Sequence, residues 1–118
     1  MPKDALAPRN KGDWRTSTTL AVVATDAVLT KAQAHRVAVM AQDGLARAIY
    51  PVHSPLDGDV AFAAATGRKP LGDPLVGLTA LGTTAANVLA RAVARAIYEA
   101  EALPFPGALP SWRDKFGR

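Results

Sequence analysis

Two features of this sequence combine residue types and positions that could carry out catalytic chemistry. Thr18 and Thr19 open a short apolar segment directly after a polar one, and Asp57-Gly58-Asp59 precedes a second apolar segment. Two carboxylates held there could orient a nucleophile's proton or bind a substrate amine. The ordinary alternatives stay open: threonine is a common strand residue, and Asp-Gly-Asp forms turns in which glycine supplies a positive φ.

Metal and triad chemistry have little support. His35 and His53 are the only histidines, and no third ligand stands at metal-site spacing from either. Neither belongs to a Ser-His-Asp pattern. We interpret His35 as an exposed helix residue and His53 as a turn residue. The sequence has no cysteine, which excludes disulfides and thiolate chemistry.

Composition describes one small globular domain. The chain has 118 residues, of which 49% are hydrophobic and only 6% aromatic, so its core must be built from small side chains. The net charge of +4 comes from scattered basic residues, which indicates a solvated surface; a small nucleic-acid-binding module is the alternative. We find neither an apolar secretory signal at the N-terminus nor a run that approaches the ~18 apolar residues of a membrane span. We expect a cytoplasmic location, with the periplasm as the alternative.

Hydrophobic periodicity predicts the order β-α-β-α. Thr30 and Gln33 form a capping-box pattern that starts the first helix. Both strands are short, apolar runs of the kind that is buried on both faces, and two strands alone do not form a stable sheet. We therefore expect another segment or subunit to complete the sheet. The predicted elements are a polar linker at 1–16, strands at 18–25 and 60–66, a loop at 67–74, helices at 31–49 and 75–101, and an irregular tail.

Two runs carry a family resemblance when they occur together. They are TTLAVVATD, which begins at Thr18, and PVH followed by DGD, which ends at Asp59. Within residues 17–67 the sequence resembles the C-terminal part of the DmpA and nylon-oligomer hydrolase family, the self-cleaving L-aminopeptidase/D-esterases. The similarity continues through the second helix to LPSWRDKFG near the end.

The resemblance implies roles for four residues. In this family a precursor cuts itself before a Ser or Thr, which maps the cut between Ser17 and Thr18, the nucleophile onto Thr18, and the acidic pair onto Asp57 and Asp59. Ser17 stands where the family usually has Asn or Gly. Once freed, the α-amino group of Thr18 could act as the base for its own hydroxyl, because its pKa lies near about 7.7–8.0.

The resemblance also implies a fold and a substrate class. The fold is the four-layer αββα sandwich of N-terminal-nucleophile hydrolases, and the substrates are short peptides, amino-acid amides or ω-amino-acid oligomers. It implies no cofactor and no metal; we also expect no nucleic-acid partner and no membrane, from the scattered charge and the lack of a long apolar run. The resemblance divides the chain into a propeptide-like segment at 1–17, a catalytic β-chain segment at 18–103 and a C-terminal tail at 104–118.

The same resemblance implies a partner. Family members are oligomers of α/β pairs, and the oxyanion-stabilising Asn and much of the pocket come from the larger α segment. We therefore expect these 118 residues to be inactive without that segment. A truncated, non-catalytic remnant of the family is the alternative. The ornithine acetyltransferases, which also self-cleave before a Thr, rank lower because the matching runs are those of the hydrolases.

Overall fold

The computed structural model describes residues 18–55 and 57–117. The predicted order β-α-β-α is confirmed, and a short fifth element follows it. The elements are β1 (Leu20–Ala27), α1 (Lys31–Ala48), β2 (Val60–Lys69), α2 (Pro74–Glu99) and α3 (Trp112–Phe116).

The two strands form a parallel pair, with Leu20 opposite Val60. β1 begins two residues later than predicted, so Thr18 and Thr19 lie just before it rather than within it. β2 continues to Lys69 instead of ending before Gly67. An irregularity in the pairing falls in this stretch, and the positive φ of 68° at Gly67 lets the chain pass through it.

Both long helices start at side-chain caps. The capping box at Thr30 and Gln33 is confirmed, and α1 ends at Ala48, one residue before the predicted end. Asp73 caps α2 by accepting hydrogen bonds from the amides of Leu75 and Val76. These carboxylate bonds satisfy N–H groups that the first turn of a helix leaves without a backbone partner.

The core lies between the two helices and one face of the sheet. As the composition predicts, four of the seven buried core members among the described residues are alanines, and only Val37 and Leu45 among them are large side chains with no exposed surface. α1 buries Val37, Ala41 and Leu45, which recur at the three-four spacing of one helix face, whereas Ala48 is exposed. Small side chains let α1 approach α2 so closely that a Cβ at Gly44 would lie 3.0 Å from that of Leu89.

The opposite face of the sheet is exposed in this chain. Leu20, Val22 and Phe62 are 71%, 68% and 55% exposed. The expectation that both strands are buried on both faces is therefore wrong for this chain taken by itself. Side chains alternate between the faces of a strand, and α1 and α2 both pack on the face that carries Ala21 and Ala61.

By length and composition alone, α2 is long and apolar enough to cross a membrane, whereas no such run is expected from the sequence. The same composition suits the core helix of a globular domain. One side of α2 is buried against α1 through Gly82, Ala85, Ala86 and Leu89.

The C-terminal tail is not wholly irregular as predicted, since it contains α3. Ser111 and Asp114 form a capping box at its start, and Trp112 lies between Tyr98 and Phe116, at 5.7 and 5.8 Å between ring centroids. The aromatic contacts hold the tail against the end of α2.

Candidate active site

The threonine pair and the aspartate turn meet at one edge of the sheet. In a parallel pair, the residues that precede the two strands lie side by side, and here the register pairs Leu20 with Val60. Thr18 is consequently next to Gly58, although the two are far apart in the sequence. The fold thus places the turn of Asp57 and Asp59 beside Thr18, with Gly58 as the residue in contact; Ser17 lies outside the described residues.

The carboxylate of Asp59 accepts hydrogen bonds from two backbone amides. Its Oδ1 accepts a 2.7 Å hydrogen bond from the amide of Thr19, and its Oδ2 a longer one of 3.4 Å from the amide of His53. The carboxylate therefore ties the entrance of β1 to the turn that follows α1. This contact places Asp59 one residue away from the predicted nucleophile.

The same contacts set the ionisation of Asp59. Burial raises its pKa, but hydrogen bonds from the amide and side chain of Thr19 and from the amide of His53 outweigh that effect. The negative charge of Asp57 also raises it. The net pKa lies below the ordinary value for aspartate, so Asp59 is an anion at neutral pH.

Asp57 is held by a local turn. The hydroxyl of Ser54 donates a 2.7 Å hydrogen bond to Oδ2 of Asp57, and the amide of Asp57 donates to the carbonyl of Ser54 at 2.9 Å. Ser54 is not among the residues singled out from the sequence. The signal was present, because a serine three residues before an aspartate often closes such a hydrogen-bonded turn.

Gly58 has a different reason to be glycine from the one expected. The positive φ angles of the described glycines are at Gly67, Gly72 and Gly107, so Gly58 does not adopt the left-handed conformation. Its backbone instead lies directly against the side chain of Thr18, and a Cβ at this position would be 2.6 Å from the Thr18 hydroxyl oxygen. The close approach, not the backbone conformation, requires the absence of a side chain.

Both histidines lie in the elements that the sequence predicts for them. His35 is exposed on α1, as expected from the sequence. His53 lies in the turn with a φ of 55° and contributes its backbone amide to Asp59. Among residues 18–55 and 57–117, no three His, Cys, Asp or Glu side chains are grouped closely enough to hold a metal ion.

An apolar groove of about 650 Å³ begins beside this site. The first half of β1 forms one wall together with Thr19, and α2 forms another, from Leu89 to Ile97. Within the described part of the chain, β1 pairs only with β2, so the groove runs along the unpaired edge of β1. Such an edge offers free backbone hydrogen-bonding groups to another strand.

Comparison with known proteins identifies relatives over most of the chain. The sequence model of the family described as Peptidase family S58 matches residues 2–108. A protein of Mycobacterium tuberculosis named as an uncharacterized aminopeptidase is 43% identical over 111 residues, covering 85% of this chain. A protein of Mycobacterium leprae with the same kind of name is 46% identical over 110 residues, covering 78% of this chain.

The matched region is a minor part of these relatives. The chain spans only 31% of the length of the M. tuberculosis protein and 30% of that of the M. leprae protein. The larger part of each relative therefore has no counterpart in these 118 residues.

Proposed function

The chain belongs to peptidase family S58, and on that premise we propose that it carries the nucleophile of an amide-bond hydrolase. Thr18 becomes an N-terminal residue by self-cleavage and then attacks the substrate. The observation that carries the proposal is the contact between Thr18 and the Asp57-Gly58-Asp59 turn at the sheet edge. The threonine and the turn with two carboxylates lie side by side, and both fall within the residues that match the family.

Self-cleavage begins with the Thr18 hydroxyl. Its oxygen attacks the carbonyl carbon of Ser17, the bond to the Thr18 nitrogen breaks, and that nitrogen takes a proton to become a free amine. The resulting ester between Ser17 and the Thr18 oxygen is then hydrolysed by water, which leaves a carboxylate on Ser17 and restores the hydroxyl. This sequence of steps requires no external cofactor.

Substrate hydrolysis repeats the chemistry on an external amide. The freed α-amine, with a pKa near about 7.7–8.0, removes the proton of the Thr18 hydroxyl as its oxygen attacks the substrate carbonyl. The substrate amine leaves with a proton, and water releases the acyl group from Thr18. Asp59 holds the backbone next to the nucleophile, and Asp57 supplies a second carboxylate in the same turn.

A further segment completes the enzyme in this proposal. The exposed Leu20, Val22 and Phe62 form an apolar sheet face, and the unpaired edge of β1 borders an apolar groove. An α segment equivalent to the rest of the mycobacterial relatives would cover these surfaces, build the αββα sandwich and supply the oxyanion donors. Oxyanion donors are worth about a hundred- to a thousand-fold in rate each, so the chain needs them. The assembled α/β pairs form homo-oligomers in the cytoplasm.

We propose short peptides, amino-acid amides or ω-amino-acid oligomers as substrates, in keeping with the aminopeptidase names of the relatives. The test is release of amine from a panel of amino-acid amides by the chain co-expressed with the remaining segment of the M. tuberculosis relative. Thr18→Ser should retain hydrolysis, whereas Thr18→Ala should abolish it. Hydrolysis that survives Thr18→Ala would contradict the assignment of the nucleophile.

A further inference from the structure

Gly58 is the residue of the aspartate turn that touches the Thr18 side chain. A Cβ at position 58 would lie 2.6 Å from the hydroxyl oxygen of Thr18, 3.3 Å from its methyl carbon and 3.5 Å from its Cβ. Contacts of carbon with oxygen are not stable at 2.6 Å, so any side chain at this position is incompatible with the present place of the hydroxyl.

The backbone on both sides of Gly58 is anchored and cannot easily withdraw. Asp57 is bound to Ser54 through its amide and its carboxylate. Asp59 accepts the amide of Thr19, and the next amide, that of Val60, donates to the Thr19 carbonyl at 3.0 Å. The steric clash that a side chain at position 58 creates would therefore be relieved by movement of Thr18.

Thr18 has room to make that movement. It is exposed and precedes the first hydrogen-bonded residue of β1. Rotation about its χ1 angle moves the hydroxyl away from position 58 at little cost to the core, to which Thr18 does not belong. The expected consequence of a side chain at position 58 is a misdirected hydroxyl in a folded protein.

We infer that Gly58 is a positioning residue whose missing side chain sets the direction of the Thr18 hydroxyl. The inference rests on the proposed role of Thr18 as nucleophile. Attack on a carbonyl requires the reacting atoms at near-attack distance and alignment, and a displacement of about 1 Å costs on the order of a hundred-fold in rate. Since Gly58 does not need a positive φ, alanine fits its backbone, and the change isolates the contact with Thr18.

The test uses Gly58→Ala in the chain assembled with the remaining segment of the M. tuberculosis relative. We expect kcat for amide hydrolysis and the rate of cleavage before Thr18 to fall about a hundred-fold, with KM within about twofold and the unfolding midpoint little changed. Methyl couplings of labelled Thr18, which report χ1, should show a changed rotamer. Pro55→Ala, an exposed change in the same turn, is the control and should leave both readouts unaltered.

Repeating Gly58→Ala in the Thr18→Ser variant separates a misdirected hydroxyl from a general loss of structure. Thr18→Ser removes the methyl carbon that a Cβ would meet at 3.3 Å, so the serine hydroxyl gains an alternative position. Gly58→Ala should therefore cost less activity in the Thr18→Ser background, about tenfold or less. Equal losses in both backgrounds, an unchanged χ1 rotamer, or unchanged activity with Thr18 would overturn the inference. Hydrolysis that persists in Thr18→Ala would instead refute the proposed nucleophile, and the role of Gly58 with it.

Discussion

The carboxylate of Asp59 accepts a 2.7 Å hydrogen bond from the backbone amide of Thr19, 40 positions earlier in the chain. One bond thus joins the start of β1 to the turn before β2. It also fixes the backbone one residue after the proposed nucleophile. The contact contributes to both stability and the geometry of the site, and the two contributions can be measured separately.

The first prediction concerns stability at acidic pH. The pKa of Asp59 is lowered in the folded chain, so its ionisation stabilises the fold above the unfolded-state pKa of about 3.9. This stability is lost as the pH falls through the lower, folded-state pKa. Asp59→Asn removes the ionisation, so we expect a lower unfolding midpoint at pH 7 and a shallower loss of stability below pH of about 4.

Urea denaturation at a series of pH values measures this difference. Asp43→Asn, at an exposed position of α1, is the matched control and should reproduce the acid dependence of the parent. If Asp59→Asn and the parent lose stability in parallel on acidification, the amide contacts of Asp59 do not set its ionisation.

A second prediction tests the alanine-rich core. Leu45 has 0% exposed surface, and it is one of only two large side chains that are fully buried among the described residues. Leu45→Ala should lower the free energy of unfolding by about 2–5 kcal/mol, because the helices cannot close the cavity. Leu75→Ala makes the same change where the side chain is 78% exposed, and there the loss should stay within about 0.5 kcal/mol. Comparable losses at the two positions would show that the core is not where the structure places it.

A third prediction compares the effect on stability of the same Thr→Ala substitution at a helix cap and inside a helix. Thr30 caps α1 through a hydrogen bond from the amide of Gln33, so Thr30→Ala should destabilise the chain by about 1 kcal/mol. Thr83 lies exposed within α2 and donates its hydroxyl to the carbonyl of Thr79. Thr83→Ala should be neutral or stabilising by a few tenths of a kcal/mol, because alanine favours a helix interior. Thermal denaturation of both variants checks the contrast.

Local patterns in the sequence predict the helices well. The Thr30 and Gln33 pair depends on side chains three residues apart, so the start of α1 follows directly from the sequence. Ser111 and Asp114 carry a pattern of the same spacing, yet the surrounding prolines favoured the prediction of an irregular tail. The predicted start of β1 was wrong because apolar periodicity does not show where pairing with β2 begins.

The site depends on contacts that the sequence does not display. Thr18 and the two aspartates could be named from their types and the family resemblance, but the amide partners of Asp59 follow from the register of the parallel strands. The close approach of Gly58 to Thr18 follows from the same register. The sequence alone suggests a positive φ for Gly58, since a turn is the usual reason for a glycine between two aspartates.

Intact mass of the chain, co-expressed with the remaining segment of the M. tuberculosis relative, tests self-cleavage before Thr18 most directly. The account predicts loss of residues 1–17, exposure of Thr18 as the new N-terminus, and an uncut chain in Thr18→Ala. The same substitution at exposed Thr83 should leave cleavage intact. An uncut parent chain in that assembly, or a cut that persists in Thr18→Ala, would contradict the account.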